Sequence, residues 1–169
     1  PLPWYADHPG DPGIRQDTHF LKVVLPFIER MYPVHAERDG RLLLGFSKSG
    51  WGAWSLLLRH PDRFGKAVAW DAPLMMDAPG KYGSGPIFAD ADNFEHYHVS
   101  RLVKDHAAAL KGERRLLLFG YGNFRDEHIR MHALLEELQI PPAYRDVPER
   151  KHTWHSGGGA EGVEWLARD

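Results

Sequence analysis

Cysteine is absent from the 169 residues of this chain. Its absence excludes disulfides, thiolate metal sites, iron–sulfur clusters and a cysteine nucleophile, so any nucleophile uses oxygen or nitrogen. The sequence also lacks an apolar run approaching the roughly 20 residues that cross a bilayer. With 21 Lys and Arg against 23 Asp and Glu, it lacks the basic excess that attracts phosphate backbones. We therefore expect neither a membrane nor a nucleic acid as partner.

The remaining composition is typical of one globular domain. Hydrophobic residues make up 43% and charged residues 26% of the chain, which argues against disorder and coiled coil. We expect a single domain over residues 1–169. Residues 1–17, rich in Pro and Gly, are predicted to form an irregular N-terminal loop. Because the first residue is Pro1 and not Met, we expect the start of the chain to be processed or cut.

The first helix is predicted over residues 18–31, where apolar side chains recur at helical spacing. Asp17 or Thr18 is available as its N-cap. Pro26 lies inside this segment and removes one backbone hydrogen bond, so we expect the helix to bend there.

Four short apolar runs are typical of strands buried on both faces of a parallel sheet. They are residues 41–46, 66–70, 115–120 and 143–147. Helices are predicted over 50–60, 99–110, 127–138 and 162–168, and a Gly- and Pro-rich loop over 77–86. Alternating strands and helices of this length predict a three-layer α/β sandwich with a mainly parallel sheet.

The first strand runs directly into the next helix through Gly45, Ser47 and Gly50. This context favours a Gly-x-Ser-x-Gly nucleophile elbow, although Ser49 stands where that pattern has its second glycine. The N–H of Lys48, at the positive end of the helix, is placed to stabilise an oxyanion. The alternative is a glycine-rich turn that binds an anion or nothing.

A serine needs a base, and the base needs an acid to orient it. Asp126 follows the third predicted strand and His152 follows the fourth. The order Ser47, Asp126, His152 is the chain order of a nucleophile–acid–base triad in α/β hydrolases. His155, three residues further on, is an alternative base.

Several runs of this sequence resemble the esterase-D-like family of α/β hydrolases. They are residues 20–24, 45–53, 59–64 and 70–73, and the ending 151–154 with its His-x-Trp pattern. The resemblance covers nearly the whole chain but only the C-terminal part of the family's domain, so we expect an α/β-hydrolase-like fold lacking its N-terminal strands.

The resemblance implies a serine esterase that forms an acyl-enzyme. It places the nucleophile on Ser47, the first oxyanion N–H on Lys48 and the base on His152. The acid falls on Asp126, although the spacing of its loop differs from the family's pattern. Asp71, which ends the second strand, is the alternative acid. The implied partner is a small-molecule or carbohydrate ester.

No cofactor and no metal are predicted. The pair His152 and His155 could be combined into a zinc site with His128 and His132, which share one helix face. No glutamate is placed as in the metalloprotease helix motif, so solvated histidines are the favoured interpretation.

The rival hypothesis is a non-catalytic binding or structural fragment of a hydrolase domain. Its main support is that the resemblance covers only the C-terminal part of the family's domain. Without preceding strands, the strand 41–46 would expose an unpaired edge. We expect this edge to pair in a homodimer, to fold with an N-terminal segment, or to be covered by residues 1–17. In the last case Trp4 and Tyr5 would approach the Ser47 elbow.

Overall fold

A computed structural model describes residues 3–120, 122–146 and 148–168. Its sheet has four parallel strands in the order β1-β2-β3-β4. They are β1 (Leu43–Phe46), β2 (Ala67–Trp70), β3 (Leu116–Phe119) and β4 (Ala143–Arg145). All four predicted strands are confirmed; the predicted end of the fourth, Val147, lies outside the described residues, as does Pro1.

Helices follow the strands in the predicted alternation. Those before β2 are α1 (Gln16–His19), α2 (Leu25–Met31) and α3 (Lys48–Arg59). Those between β2 and β3 are α4 (Gly85–Phe88), α5 (Ala91–Glu95), α6 (Val99–Asp105) and α7 (Ala107–Leu110). The last two are α8 (Arg125–Glu137) and α9 (Gly158–Leu166). Within the described residues, none of these helices is long and apolar enough to span a membrane.

The sheet is covered on both faces, as predicted. On one face Ala67, Ala69 and Leu118 belong to a large apolar cluster with residues of α3, α6 and α8. On the other face Trp70 and Phe119 belong to a smaller cluster that includes residues of α9. Alternate residues of buried strands point to opposite faces, so each apolar run supplies both clusters.

The predicted helix 18–31 is instead two α-helices joined by a π-helical segment, Phe20–Val24. The N–H of Leu25 bonds to the carbonyl of Phe20, five residues back. This wider turn lies directly before Pro26, which has no N–H to continue an α-helical ladder. Neither predicted residue is the N-cap, because the helix starts before both of them.

The carboxylate of Asp7 performs the capping role by accepting the N–H of Thr18 at 3.0 Å. The carboxylate of Asp17 instead accepts hydrogen bonds from Nη1 and Nη2 of Arg59 on α3, each at 2.9 Å. The N-terminal segment is thereby fixed to the face of the sheet that carries α3.

Trp4 and Tyr5 pack on α3, and none of the described residues before α1 pairs along β1, whose described strand partner is β2. The Trp4 ring packs edge-on against Trp51, with centroids 5.4 Å apart. A Cβ on Gly52 would lie 2.2 Å from the Tyr5 ring. Of the three predicted arrangements, covering of the β1 edge by this segment is therefore wrong. The segment also contains an isolated antiparallel bridge between Asp7 and Arg15.

The stretch predicted as loop over 77–86 also holds a 3₁₀ turn, Lys81–Gly83, and the start of α4. Pro86 occupies the first turn of α4, where a missing N–H costs nothing. The predicted helix over 99–110 is broken at His106, whose φ of −103° and ψ of 9° leave the helical region.

Candidate active site

Three neighbouring strands end side by side, and each is followed by a residue with positive φ. The parallel register aligns the last residues of β1, β2 and β3. The residues that follow are Ser47 (φ 55°), Asp71 (φ 44°) and Gly120 (φ 129°). The N–H groups of Ser47 and Asp71 still bond to the last carbonyl of the neighbouring strand, at 2.9 and 2.8 Å. The sheet thus presents a serine and an aspartate at the same edge, where ligands of such sheets bind.

Ser47 makes the sharp turn between β1 and α3. Its φ of 55° and ψ of −123° place it in a sparsely populated region that costs about 1–3 kcal/mol. A Cβ on Gly45 would lie 1.9 Å from the carbonyl oxygen of Ser49, and a Cβ on Gly50 2.8 Å from that of Gly45. Both positions therefore require glycine.

Ser49 is used within the turn. Its Oγ accepts the N–H of Phe46 at 3.1 Å and donates to the Phe46 carbonyl at 2.8 Å. A serine at this position is thus compatible with the elbow, and its hydroxyl is bound to the end of β1.

A buried carboxylate contacts a histidine beside the elbow. Oδ2 of Asp71 lies 2.5 Å from Nδ1 of His152, with the Asp71 side chain 1% exposed and that of His152 24% exposed. Because a carboxylate can only accept, Nδ1–H donates and Nε2 is left for another partner. The rings of Phe46 and Phe124 pack on the imidazole at centroid distances of 4.5 and 5.6 Å.

The loop after β3 passes over this pair. The N–H of Asn123 donates to Oδ2 of Asp71 at 3.2 Å, and that of Phe124 to Oδ1 at 2.9 Å. A Cβ on Gly122 would lie 2.1 Å from Oδ2 of Asp71 and 2.8 Å from Cβ of His152. Glycine is required there so that the loop can approach. The segment 122–126 is predicted from the sequence to lie at the ligand-binding edge of the sheet, but the bonds of its N–H groups to Asp71 were not predicted.

The structure brings the alternative acid, and not the preferred one, to the histidine. Asp71, the alternative, bonds to His152, whereas Asp126 is exposed in the first turn of α8. His155 is likewise exposed, in the 3₁₀ turn Trp154–Ser156, and His152 is the histidine that Asp71 contacts.

Ser47 and His152 line the same pocket, which has a volume of about 230 Å³. Its other lining residues are Lys48, Tyr82, Asn123 and Phe124. Lys48 is the first residue of α3, so its N–H is among the helix-start donors without an intrahelical acceptor.

A larger cavity of about 520 Å³ lies at the opposite end of the sheet, beside Gly65, Lys66 and Arg115 before the strands begin. Arg115 there donates to backbone carbonyls, including that of Gly65 at 2.8 Å. Its lining contains no serine, threonine or histidine among the described residues. The chemistry-bearing residues therefore concentrate in the smaller pocket.

The histidines considered as zinc ligands have separate partners in the structure. His128 is buried, with Nε2 2.9 Å from the N of Ala72, and His132 stacks on Tyr144 with centroids 4.3 Å apart. In the described part of the chain, no three histidine, aspartate or glutamate side chains are arranged to hold a metal ion.

The comparisons with known proteins agree with this geometry. A family model described as "Putative esterase" matches residues 2–157. The chain belongs to this esterase family. No curated protein matches the sequence.

Solved structures similar to this esterase-family chain are hydrolases. A ferulic acid esterase is 23% identical with a TM-score of 0.73, and the match covers 93% of this chain and 62% of the ferulic acid esterase. The S-formylglutathione hydrolase of Agrobacterium tumefaciens is 19% identical with a TM-score of 0.72, covering 97% and 62%. The fluorophosphonate-binding serine hydrolase F of Staphylococcus aureus is 15% identical with a TM-score of 0.70, covering 89% and 63%.

At these identities the similarity establishes the fold. The chain has the α/β-hydrolase fold and spans about three fifths of the length of these hydrolases.

Proposed function

We propose that this chain hydrolyses carboxylic esters through Ser47, His152 and Asp71. The observation that carries the proposal is the placement of the strained Ser47 turn in one pocket with a histidine whose Nδ1 is bonded to a buried carboxylate. Family membership supports ester hydrolysis as the reaction class.

In the first half of the reaction, Oγ of Ser47 attacks the ester carbonyl carbon while Nε2 of His152 takes the hydroxyl proton. Asp71 stabilises the resulting imidazolium and holds the ring in its tautomer. The N–H of Lys48 donates to the oxyanion of the tetrahedral intermediate. Collapse breaks the bond to the alcohol oxygen, which leaves with the proton from His152.

In the second half, His152 removes a proton from water, whose oxygen attacks the acyl carbon. The second tetrahedral intermediate collapses by releasing Oγ of Ser47, which regains the proton. The products are a carboxylic acid and the free serine. The substrate is the ester of a small molecule or a carbohydrate, with Tyr82 and Phe124 lining the space beside Ser47.

Hydrolysis of a p-nitrophenyl ester tests the proposal. Ser47→Ala should lower kcat by about a factor of a million, which is typical of losing a triad member. Ser49→Ala is the matched control, because Ser49 lies two residues away and its hydroxyl is bound to Phe46. Its turnover should remain close to that of the unaltered chain.

Turnover that survives Ser47→Ala contradicts the serine mechanism. A folded chain with neither turnover nor serine reactivity instead favours the non-catalytic binding or structural domain. That alternative is favoured by the chain's coverage of only about three fifths of the similar hydrolases.

A further inference from the structure

His128 contacts the backbone directly after Asp71, the acid of the proposed triad. Its side chain, on α8, is fully buried. Nε2 lies 2.9 Å from the backbone N and 3.1 Å from the backbone O of Ala72, the residue after Asp71. Burial lowers the pKa of His128 to about 4, so the imidazole is neutral at pH 7. A neutral Nε2 can accept the Ala72 N–H, or in the other tautomer donate to the Ala72 carbonyl.

Three hydrogen bonds join His128 to Asp71 in a closed ring. The Phe124 N–H donates to Oδ1 of Asp71 at 2.9 Å. The Phe124 carbonyl accepts the N–H of His128 at 3.0 Å. The third hydrogen bond joins Nε2 of His128 to the backbone of Ala72, the residue after Asp71. One turn at the start of α8 thus holds the carboxylate of Asp71 and also the peptide unit that follows it.

These three hydrogen bonds hold Asp71, whose backbone has an unfavourable conformation. Asp71 has a φ of 44°, a conformation that non-glycine residues rarely adopt and that the surroundings must maintain. Rotation of the Asp71–Ala72 peptide unit would move the carboxylate away from Nδ1 of His152. Displacements of about 1 Å at a catalytic group can cost about 10²-fold in rate.

We infer that His128 is a positioning residue for the triad acid, which it holds through the backbone of Ala72. The inference rests on the proposed function, in which Asp71 orients His152. His128 does not itself line the pocket, and its imidazole bonds to the backbone of Ala72, so its effect on the reaction passes through Asp71.

Two variants separate the hydrogen bond from the volume of the ring. His128→Gln places a carboxamide near the position of Nε2, where it can accept from the Ala72 N–H or donate to its carbonyl. His128→Met fills similar space with an apolar chain and leaves the Ala72 groups unpaired. We expect His128→Gln to keep kcat close to that of the unaltered chain. We expect His128→Met to lower kcat by about 10²-fold with KM unchanged.

A double-variant comparison shows whether His128 acts through Asp71. In an Asp71→Asn background, adding His128→Met should cause little further loss of kcat, because the interaction it supports is already gone. A loss equal to that seen with Asp71 present would overturn the inference. So would unchanged kcat in His128→Met, or equal losses in the Met and Gln variants.

Proton NMR of the folded chain gives a readout that does not depend on turnover. The His152 Nδ1–H bonded to Asp71 should give a far-downfield resonance that persists in His128→Gln and is lost or moved upfield in His128→Met. An unchanged resonance in a folded His128→Met overturns the inference even if ester hydrolysis is confirmed. If His128→Met does not fold, His128→Asn replaces it, since the shorter asparagine cannot reach Ala72. Failure of the proposed function shows separately, as turnover that survives Ser47→Ala.

Discussion

Oδ2 of Asp71 lies 2.5 Å from Nδ1 of His152, although 81 residues separate them in the chain. Asp71 directly follows β2, and His152 comes after β4, so the pair joins two strands that are not neighbours in the sheet. The loop after β3 lies between them and donates the N–H groups of Asn123 and Phe124 to the carboxylate. A buried carboxylate with three donors around it is suited to hold an imidazole in one tautomer.

The first prediction compares the two aspartates. Asp71→Asn keeps the shape of the side chain but offers the wrong partner to Nδ1–H, so kcat should fall by about 10⁴. Asp126→Asn should change kcat little, because Asp126 is exposed on α8. Steady-state kinetics on one p-nitrophenyl ester compares them directly. The reverse order would contradict Asp71 and favour Asp126 as the acid.

The second prediction compares the two histidines. His152→Ala removes the base that shares a pocket with Ser47, and kcat should fall by about a factor of a million. His155→Ala changes an exposed side chain and serves as the matched control, with turnover retained. A large loss confined to His155→Ala would show that the base is assigned to the wrong residue.

The third prediction concerns the close approach of the β3 loop. In Gly122→Ala the new methyl group would lie 2.1 Å from Oδ2 of Asp71, so the loop or the pair must shift and kcat should fall by about 10²-fold. Gly112→Ala is the control, because a Cβ there meets nothing within 4 Å. Equal kcat in the two variants would mean that the loop does not support the pair.

The fourth prediction is a pH dependence of stability due to His128. Its pKa is lowered from 6.5 to about 4 by burial, against a smaller opposing effect of Asp71. The unfolded chain therefore takes up this proton near pH 6.5, whereas the folded chain stays neutral until about pH 4. The contribution is complete above pH 6.5 and is lost as the pH falls toward 4, by about 3 kcal/mol at most.

Urea unfolding at several pH values checks this effect. Over that interval, the free energy of unfolding of His128→Gln should fall less steeply with decreasing pH than that of the unaltered chain. The difference in slope should correspond to the uptake of up to one proton on unfolding. Subtracting the two curves removes the effects of other groups, including His60, whose pKa burial also lowers. Parallel curves would show that His128 is not a buried neutral imidazole.

The strands and the serine turn are predictable because they depend on local sequence. The runs 41–46, 66–70 and 115–120 each contain several consecutive apolar residues, and the glycine at position 45 is required by the backbone of Ser49 in the same turn. The short helices α4 and α5 were not predicted, because the glycines and prolines of residues 77–86 indicate a loop. The side chain of Asp90 nevertheless caps α5 by accepting the N–H of Asn93 at 2.8 Å, which is a local signal that the sequence contains.

The contact between Asp71 and His152 could not be predicted in this way. Asp71 and Asp126 both follow buried strands, and the difference between them arises from where the β3 loop directs its backbone N–H groups. Such donors are present at every residue except proline and carry no residue-type signal. The glycines at 120 and 122 were the available indication, since glycine in a loop permits close backbone approach. The role of His128 depends on the same tertiary contact.

The most direct test of the account is covalent labelling of the folded chain with a fluorophosphonate, followed by mass spectrometry of its peptides. An activated serine displaces fluoride and keeps the phosphonyl group on its oxygen. We expect one label per chain, located on Ser47, with labelling slowed by Asp71→Asn and abolished by Ser47→Ala. A folded chain that takes up no label, or that takes it on another serine, would contradict the assignment of Ser47 as nucleophile.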